Sequence, residues 1–188
     1  KVRYTGEAVA IVVAESRYLA EDAAERIVVE YEPLPPVDDM EAALAAGTPV
    51  LHEEVGDNLL VTREFARGDV DAALAGAHLV VRERFRFPRF SCTPVEGCAV
   101  VASWDPGSEQ LTAWANFQGP FSTHPVMARA LRVAGPKLRL RIPPDSGGSF
   151  GIKLSVFPYI VLAAIAARIT GRPVKWVEDR LEHLLAAS

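Results

Sequence analysis

The sequence predicts an α+β (mixed α/β) protein in two unequal parts, and three observations carry that prediction. Stretches of strand character alternate with stretches of helical spacing along the whole chain, and the strands call for neighbours of mixed direction. One glycine-rich loop, residues 143–153, lies between a strand-like run and a strongly apolar helix. A proline-, glycine- and asparagine-bearing connector at 48–58 separates the two parts, taken as residues 1–56 and 57–188.

The elements follow in order. Residues 3–14 are a near-continuous run of Val, Ile and Ala bounded by Gly6 and Ser16, the pattern of a strand buried on both faces. Leu19, Ala23 and Ile27 recur at helical spacing behind Ser16 as cap. Residues 28–31 return to strand until Pro33, Pro35 and Pro36 stop it, so a β-α-β unit ends near Glu32. Asp39 caps a short helix through Ala46 that Gly47 closes. A second capped unit at 69–76 echoes it, but eight residues of capped helix are too few to establish a repeat.

Residues 78–90, 97–104 and 110–117 read as an antiparallel meander, the last two strands joined by the turn Asp105-Pro106-Gly107-Ser108. A helix at 122–132 with Val126, Ala130 and Leu131 on one side follows, and a strand at 137–142 delivers the chain into the glycine loop. The apolar helix 155–170 ends at Gly171, with Pro173 blocking continuation; a strand at 174–177 and a short helix at 179–188 complete the chain.

Composition narrows the function. At 188 residues, 49% hydrophobic and a net charge of −4, the chain is long enough for a sizeable core and gives no electrostatic reason to bind nucleic acid or an anionic membrane. Arg82, Arg84, Arg86 and Arg89 alternate along a predicted strand and mark a solvated or subunit-facing edge. Cys92 and Cys98 are too few for a disulfide framework, and no Cys-x-x-Cys pair offers a zinc site or cluster, so a reducing, cytoplasmic compartment fits. Any redox electrons then leave through clusters held elsewhere. The apolar run 156–167 contains a proline and falls short of the roughly 20 residues that span a bilayer, which reads as a buried helix. The chain opens on Lys1 without a methionine and reads as a piece of a longer polypeptide.

Gly147, Gly148 and Gly151 let the loop backbone take positive φ and bring its N–H groups close to a ligand. The spacing is neither G-x-G-x-x-G nor a Walker loop, so taken alone the loop reads first as a tight turn, the commonest use of clustered glycine.

Three motifs in register add to this: Asn116-Phe117-Gln118-Gly119-Pro120, the loop from Gly147 to Lys153, and the run from Gly171 to His183. Together they resemble the molybdopterin-binding large subunit of the xanthine dehydrogenase and aerobic carbon monoxide dehydrogenase family. The opening, Val2 to Ala10 and Val29 to Pro35, looks like the second half of that family's α/β-hammerhead domain. The resemblance implies that residues 1–56 are the C-terminal half of a hammerhead domain and 57–188 the N-terminal portion of a molybdopterin-binding domain.

It implies further that Gln118 approaches an oxo ligand of molybdenum with its side-chain amide, and that Gly119, Gly147, Gly148, Phe150 and Gly151 line the cofactor, Phe150 through its backbone. The cofactor is then molybdopterin, plain or as the cytosine dinucleotide, with iron–sulfur clusters and FAD on partner chains or segments and a dimer of heterotrimers as the parent assembly. The implied reaction is hydroxylation of an aldehyde or N-heterocycle, or oxidation of carbon monoxide, with water as oxygen source. Its general base lies beyond residue 188, so the isolated chain is expected to be silent. Leu154 stands where purine-oxidising members carry a glutamate, and Val95-Glu96-Gly97-Cys98 departs from a Pro-rich, Arg-bearing version. Glu178, Asp179, Glu182 and His183 read as a capped, solvated helix start with no catalytic role. Two other readings compete: a subunit-interaction module docking through the Arg82–Arg89 strand, and a phosphate- or nucleotide-binding loop.

Overall fold

Four strands, β1 (Ala99–Asp105), β2 (Gln110–Ala115), β3 (Leu138–Arg141) and β4 (Val174–Val177), form one sheet in the order β3-β2-β1-β4. The computed structural model describes residues 1–87 and 92–186. β1 and β2 form an antiparallel hairpin in which Val100 faces Ala115 and Ala102 faces Ala113. β4 runs antiparallel to β1, and β3 joins β2 in parallel with Leu111 opposite Leu138. The parallel step requires a crossover, and α3 (Pro120–Leu131) supplies it.

Alternation along the strands fixes which face is inside. Val100 and Ala102, Leu111, Ala113 and Ala115, Leu138 and Val174 are buried on one side, against α3 and α4 (Phe157–Thr170). α4 presents Ala163, Ala164 and Ala167 to strands that present Ala102 and Ala113, and small side chains on both surfaces let helix and sheet approach closely. Gly171, at φ +64, ends the helix as expected. By length and composition, residues 152–170 would suffice to cross a membrane, but half of that stretch is buried in the protein, as for a core helix.

α3 begins two residues earlier than its spacing suggested, because Gly119 takes a left-handed cap position and Pro120 starts the helix where a missing N–H costs nothing. Its inner face is Thr123, Met127, Ala128 and Leu131; Val126 and Ala130, expected on one side with Leu131, are exposed while Leu131 is buried.

The chain divides into two units, residues 1–28 with 89–188, and residues 29–88. In the first, α1 (Arg17–Ala24) is capped by Ser16 as expected, its hydroxyl accepting from Leu19 N at 3.3 Å. Tyr159 stacks on Trp176 at 4.9 Å and donates its hydroxyl to Gly6 O at 3.0 Å, tying the opening segment to the sheet unit. The second unit holds α2 (Val70–Ala75), capped by Asp69, and a 3-10 turn at Ala42–Leu44 where a fuller helix was expected.

The strands expected at 3–14, 28–31 and 78–87 do not form among the described residues; residues 88–91 lie outside them. A strand exists only with a hydrogen-bonded neighbour, and these segments have no ladder partner among the described residues. Val9, Ile11 and Val13 stay 42–53% exposed, where burial on both faces was expected. The α+β class itself stands, with helices and a mixed sheet, although among the described residues only the β1–β2 hairpin of the meander is present.

Candidate functional site

The site is built by two loops that meet at one end of the sheet. The first, at 116–119, leaves β2 for α3; the second, at 143–153, leads from β3 to α4. Asn116 anchors the first: its buried side chain accepts from Ala99 N and donates to Gly97 O, both at 2.8 Å. Gly119 follows at φ +67, where an added Cβ would lie 2.8 Å from Ser122 Oγ and 3.0 Å from Leu154 Cδ1. The Ser122 and Thr123 hydroxyls both donate to its carbonyl, at 2.9 and 2.8 Å. Gly119 is therefore fixed by backbone conformation and close packing, and Gln118 projects from a rigid corner.

The glycines of the second loop differ in what they need. Gly148 and Gly151 take φ +98 and +95, which L side chains rarely adopt. At Gly147 the requirement is space, since a Cβ there would sit 2.5 Å from Glu96 Cβ. Phe150 also has positive φ, +52, a strained value for an aromatic residue, and its ring is 74% exposed. It does not anchor the loop in the core. It lines instead an open hollow of about 450 Å³ with Cys92, Ile152, Leu154 and Phe157.

The loops are joined directly. Gln118 N donates to Lys153 O at 3.2 Å, and the Ser149 hydroxyl donates to Gln118 Oε1 at 2.5 Å. Of the six residues singled out from sequence, Gln118 and Gly119 thus lie on one loop and Gly147, Gly148, Phe150 and Gly151 on the other, bonded through Ser149 and Lys153.

Beneath them lies a feature the sequence reading left without a role. Lys153 is 1% exposed and its ammonium donates to Glu96 Oε2, the same oxygen that accepts Gly147 N at 3.1 Å. The lysine, then Asn116 and the Gly147 amide, hold the Glu96 carboxyl below the usual carboxylate range. A lysine inside the apolar run Ile152-Lys153-Leu154 was the available signal: such a cation needs an anion nearby.

The run at 178–183 needs correction in part. Asp179 and Glu182 do cap α5 (Arg180–Ala186), each backbone N–H donating to the other's carboxylate at 2.8 Å. Glu178 and His183, however, have side chains 7% and 1% exposed. Glu178 Oε2 accepts from Cys98 N at 2.8 Å and pairs with His183 Nδ1 at 2.9 Å. Burial, then the adjacent carboxylate, pushes the Cys98 thiol up to about 12. Sulfur, carboxylate and ring nitrogen lie within 4.8 Å of one another, the spacing of metal ligands. The bond from Cys98 N to Glu178 and the Glu178–His183 pair make this a node fastening the end of β4 to the start of β1, with His183 Nε2 buried without a partner among the described residues. Sequence spacing could not reveal it, because Cys98 is 80 residues from Glu178.

Of the arginines read as an edge strand, Arg84 pairs with Glu41 and Arg86 with Asp39 at 2.6 Å; Arg89 lies outside the described residues. No strand carries them among the described residues, which weakens the docking-edge reading.

Comparison with known proteins bears on the same residues. Residues 51–188 match the family described as the molybdopterin cofactor-binding domain, and residues 1–35 the aldehyde oxidase and xanthine dehydrogenase a/b hammerhead domain. The chain is 37% identical to the carbon monoxide dehydrogenase large chain of Hydrogenophaga pseudoflava, over 98% of this chain and 24% of that one. It is 37% identical to the nicotine 6-hydroxylase large subunit of Paenarthrobacter nicotinovorans, over 100% of this chain and 23% of the relative. Among solved structures it resembles quinoline 2-oxidoreductase from Pseudomonas putida 86, with a TM-score of 0.79 and 36% identity over 93% of this chain and 22% of that one. The chain therefore spans about a quarter of the length of the curated relatives it matches. With the two motif loops bonded at the end of the sheet and a family match over most of its length, the chain belongs to the aldehyde oxidase and xanthine dehydrogenase family, as part of a molybdopterin-binding subunit.

Proposed function

We propose that the chain supplies one wall of a molybdopterin site in the large subunit of a molybdenum hydroxylase, with residues 1–56 from its hammerhead domain and 57–188 from its cofactor-binding domain. The observation that carries this reading is the held carbonyl of Gln118. Ser149 donates to Oε1, which orients the amide and keeps its NH2 end as the donor for an acceptor ligand. The glycine loop fits the same group: Gly148 and Gly151 adopt a backbone that side chains disfavour, so their main-chain N–H groups can approach oxo, thiolate or phosphate acceptors, while Gly147, with its N–H held by Glu96, lets the loop close on that carboxylate.

In this reading Gln118, Gly119, Gly147, Gly148, Phe150 and Gly151 hold and orient the cofactor, which when bound supplies two-electron oxidation with water as the oxygen source. The cofactor is molybdopterin or its cytosine dinucleotide. Iron–sulfur and FAD subunits take the electrons in a cytoplasmic dimer of heterotrimers. Leu154 and the apolar hollow beside Phe150 and Phe157 favour a small substrate, an aldehyde, N-heterocycle or carbon monoxide, over a polar purine. The test is isotopic. The full-length complex, turned over in ¹⁸O-labelled water with panels of these substrates, is expected to place the label in the product. Label arriving from O2 instead, or no turnover by a cofactor-loaded complex, contradicts the proposal.

A further inference from the structure

We propose that Glu96 and Lys153 are a positioning pair for the cofactor site, closing a ring of contacts that sets the glycine loop against Gln118. The inference deepens the reading just given and rests on it for the identity of the ligand. The ring runs through five residues. Lys153 Nζ donates to Glu96 Oε2; Gly147 N donates to the same oxygen at 3.1 Å. Two residues on, Ser149 donates to Gln118 Oε1 at 2.5 Å, and Gln118 N returns to Lys153 O at 3.2 Å. Three segments far apart in sequence, near 96, 118 and 150, are thereby fixed to one another.

The chemistry of the pair explains why it suits this place. An ammonium 1% exposed has a strong requirement for its counter-ion, so Glu96 is not free to rotate away. Gly147 sits so close to Glu96 that a Cβ would approach its Cβ to 2.5 Å, so the loop touches the carboxylate stem as well as its oxygen. Each half of the pair serves a different candidate contact. Glu96 holds the Gly147 main-chain N–H, and Lys153, through its main-chain carbonyl, holds the Gln118 main-chain N–H. Neutralised by each other, they add no net charge that would compete with the metal's ligands.

The experiment uses the full-length subunit with Glu96→Gln, Lys153→Met and the double variant, which removes both charges and strands neither. Hydrogen exchange is followed by mass spectrometry in peptides covering 116–119 and 145–153, alongside molybdenum and pterin content and the electron paramagnetic resonance signal of the reduced metal centre. The double variant is expected to remain folded, to exchange about tenfold faster or more in those peptides, and to lose about tenfold or more in cofactor retention with an altered signal. Lys153→Arg, which keeps the charge, is expected to restore much of both. Unchanged loop exchange in the double variant overturns the ring. Faster exchange there, with cofactor content and signal as in the wild type, overturns the positioning role. A wild-type subunit that binds no molybdenum, while the variant's loop exchange rises as expected, upholds the ring and overturns the cofactor reading instead.

Discussion

Adding one methyl group at each of two loop glycines separates two physical requirements that look alike in sequence. At Gly151, φ is +95 and nothing lies within 4 Å of an added Cβ, so Gly151→Ala meets only backbone strain, about 1–3 kcal/mol. At Gly147 the same atom would sit 2.5 Å from Glu96 Cβ, more than 1 Å inside a favourable carbon–carbon separation of about 3.5–4.0 Å. The obstacle is the stem of Glu96 and not a flexible tip, so the loop must move at an overpacking cost of about 1–3 kcal/mol. Either change is expected to lower the melting temperature of the full-length subunit. The two separate in a Glu96→Gly/Lys153→Met background, which removes the obstructing atom without stranding the buried ammonium. There Gly147→Ala should recover about 1–2 kcal/mol of its cost, a coupling typical of residues in contact, and Gly151→Ala should remain additive. Thermal melts of the six proteins in the full-length subunit measure both. Equal costs for Gly147→Ala in the two backgrounds, or coupling of Gly151→Ala to Glu96, would refute the division between strain and space.

Three further outcomes are expected. Cys98, buried and with its thiol at about 12, should resist alkylation at pH 8 in the folded protein and react after denaturation, read by mass spectrometry; because its folded pKa is raised above 9.0, its contribution to stability is present below that value and is lost as pH rises toward 12. Glu96 has the opposite sign: its depressed folded pKa gives a contribution present above 4.5 that is lost as pH falls through the folded value, so loop exchange at 145–153 should accelerate in acid, and Glu96→Gln should flatten that dependence. Ala164→Leu, at a position 1% exposed where α4 lies on the sheet, should cost about 1–3 kcal/mol by overpacking, seen as a lower melting temperature, whereas Ile169→Leu on the 79% exposed side of the same helix should not.

The sequence carried the sheet unit well wherever local pattern and partner were both inside the chain. The 99–105 and 110–115 strands, the crossover helix and the apolar helix ended by Gly171 all follow from period, turn and cap residues. It misled where pattern ran ahead of partners: the valines of 3–14 have strand composition, but composition supplies no hydrogen-bonded neighbour, and they remain half exposed. The six candidate site residues were singled out through a family resemblance, and the structure adds where they lie and what Ser149 does to Gln118. Glu96, Lys153 and Cys98 were not assigned roles, because their partners lie 57 or 80 residues away in sequence, which no local spacing encodes; His183, read as part of a solvated helix start, is instead buried against Glu178, just ahead of that helix.

The central claim is that the Gln118 corner and the 147–151 loop face molybdopterin, and its most direct test is chemical. Molybdenum and pterin are quantified per polypeptide in the full-length protein, produced with molybdopterin-synthesis machinery, for the wild type and Gly147→Ala. The account predicts stoichiometric metal and pterin in the wild type and a clear loss of both in the variant despite an intact fold. A well-folded wild type without molybdenum, or a variant that keeps its full complement, would contradict it.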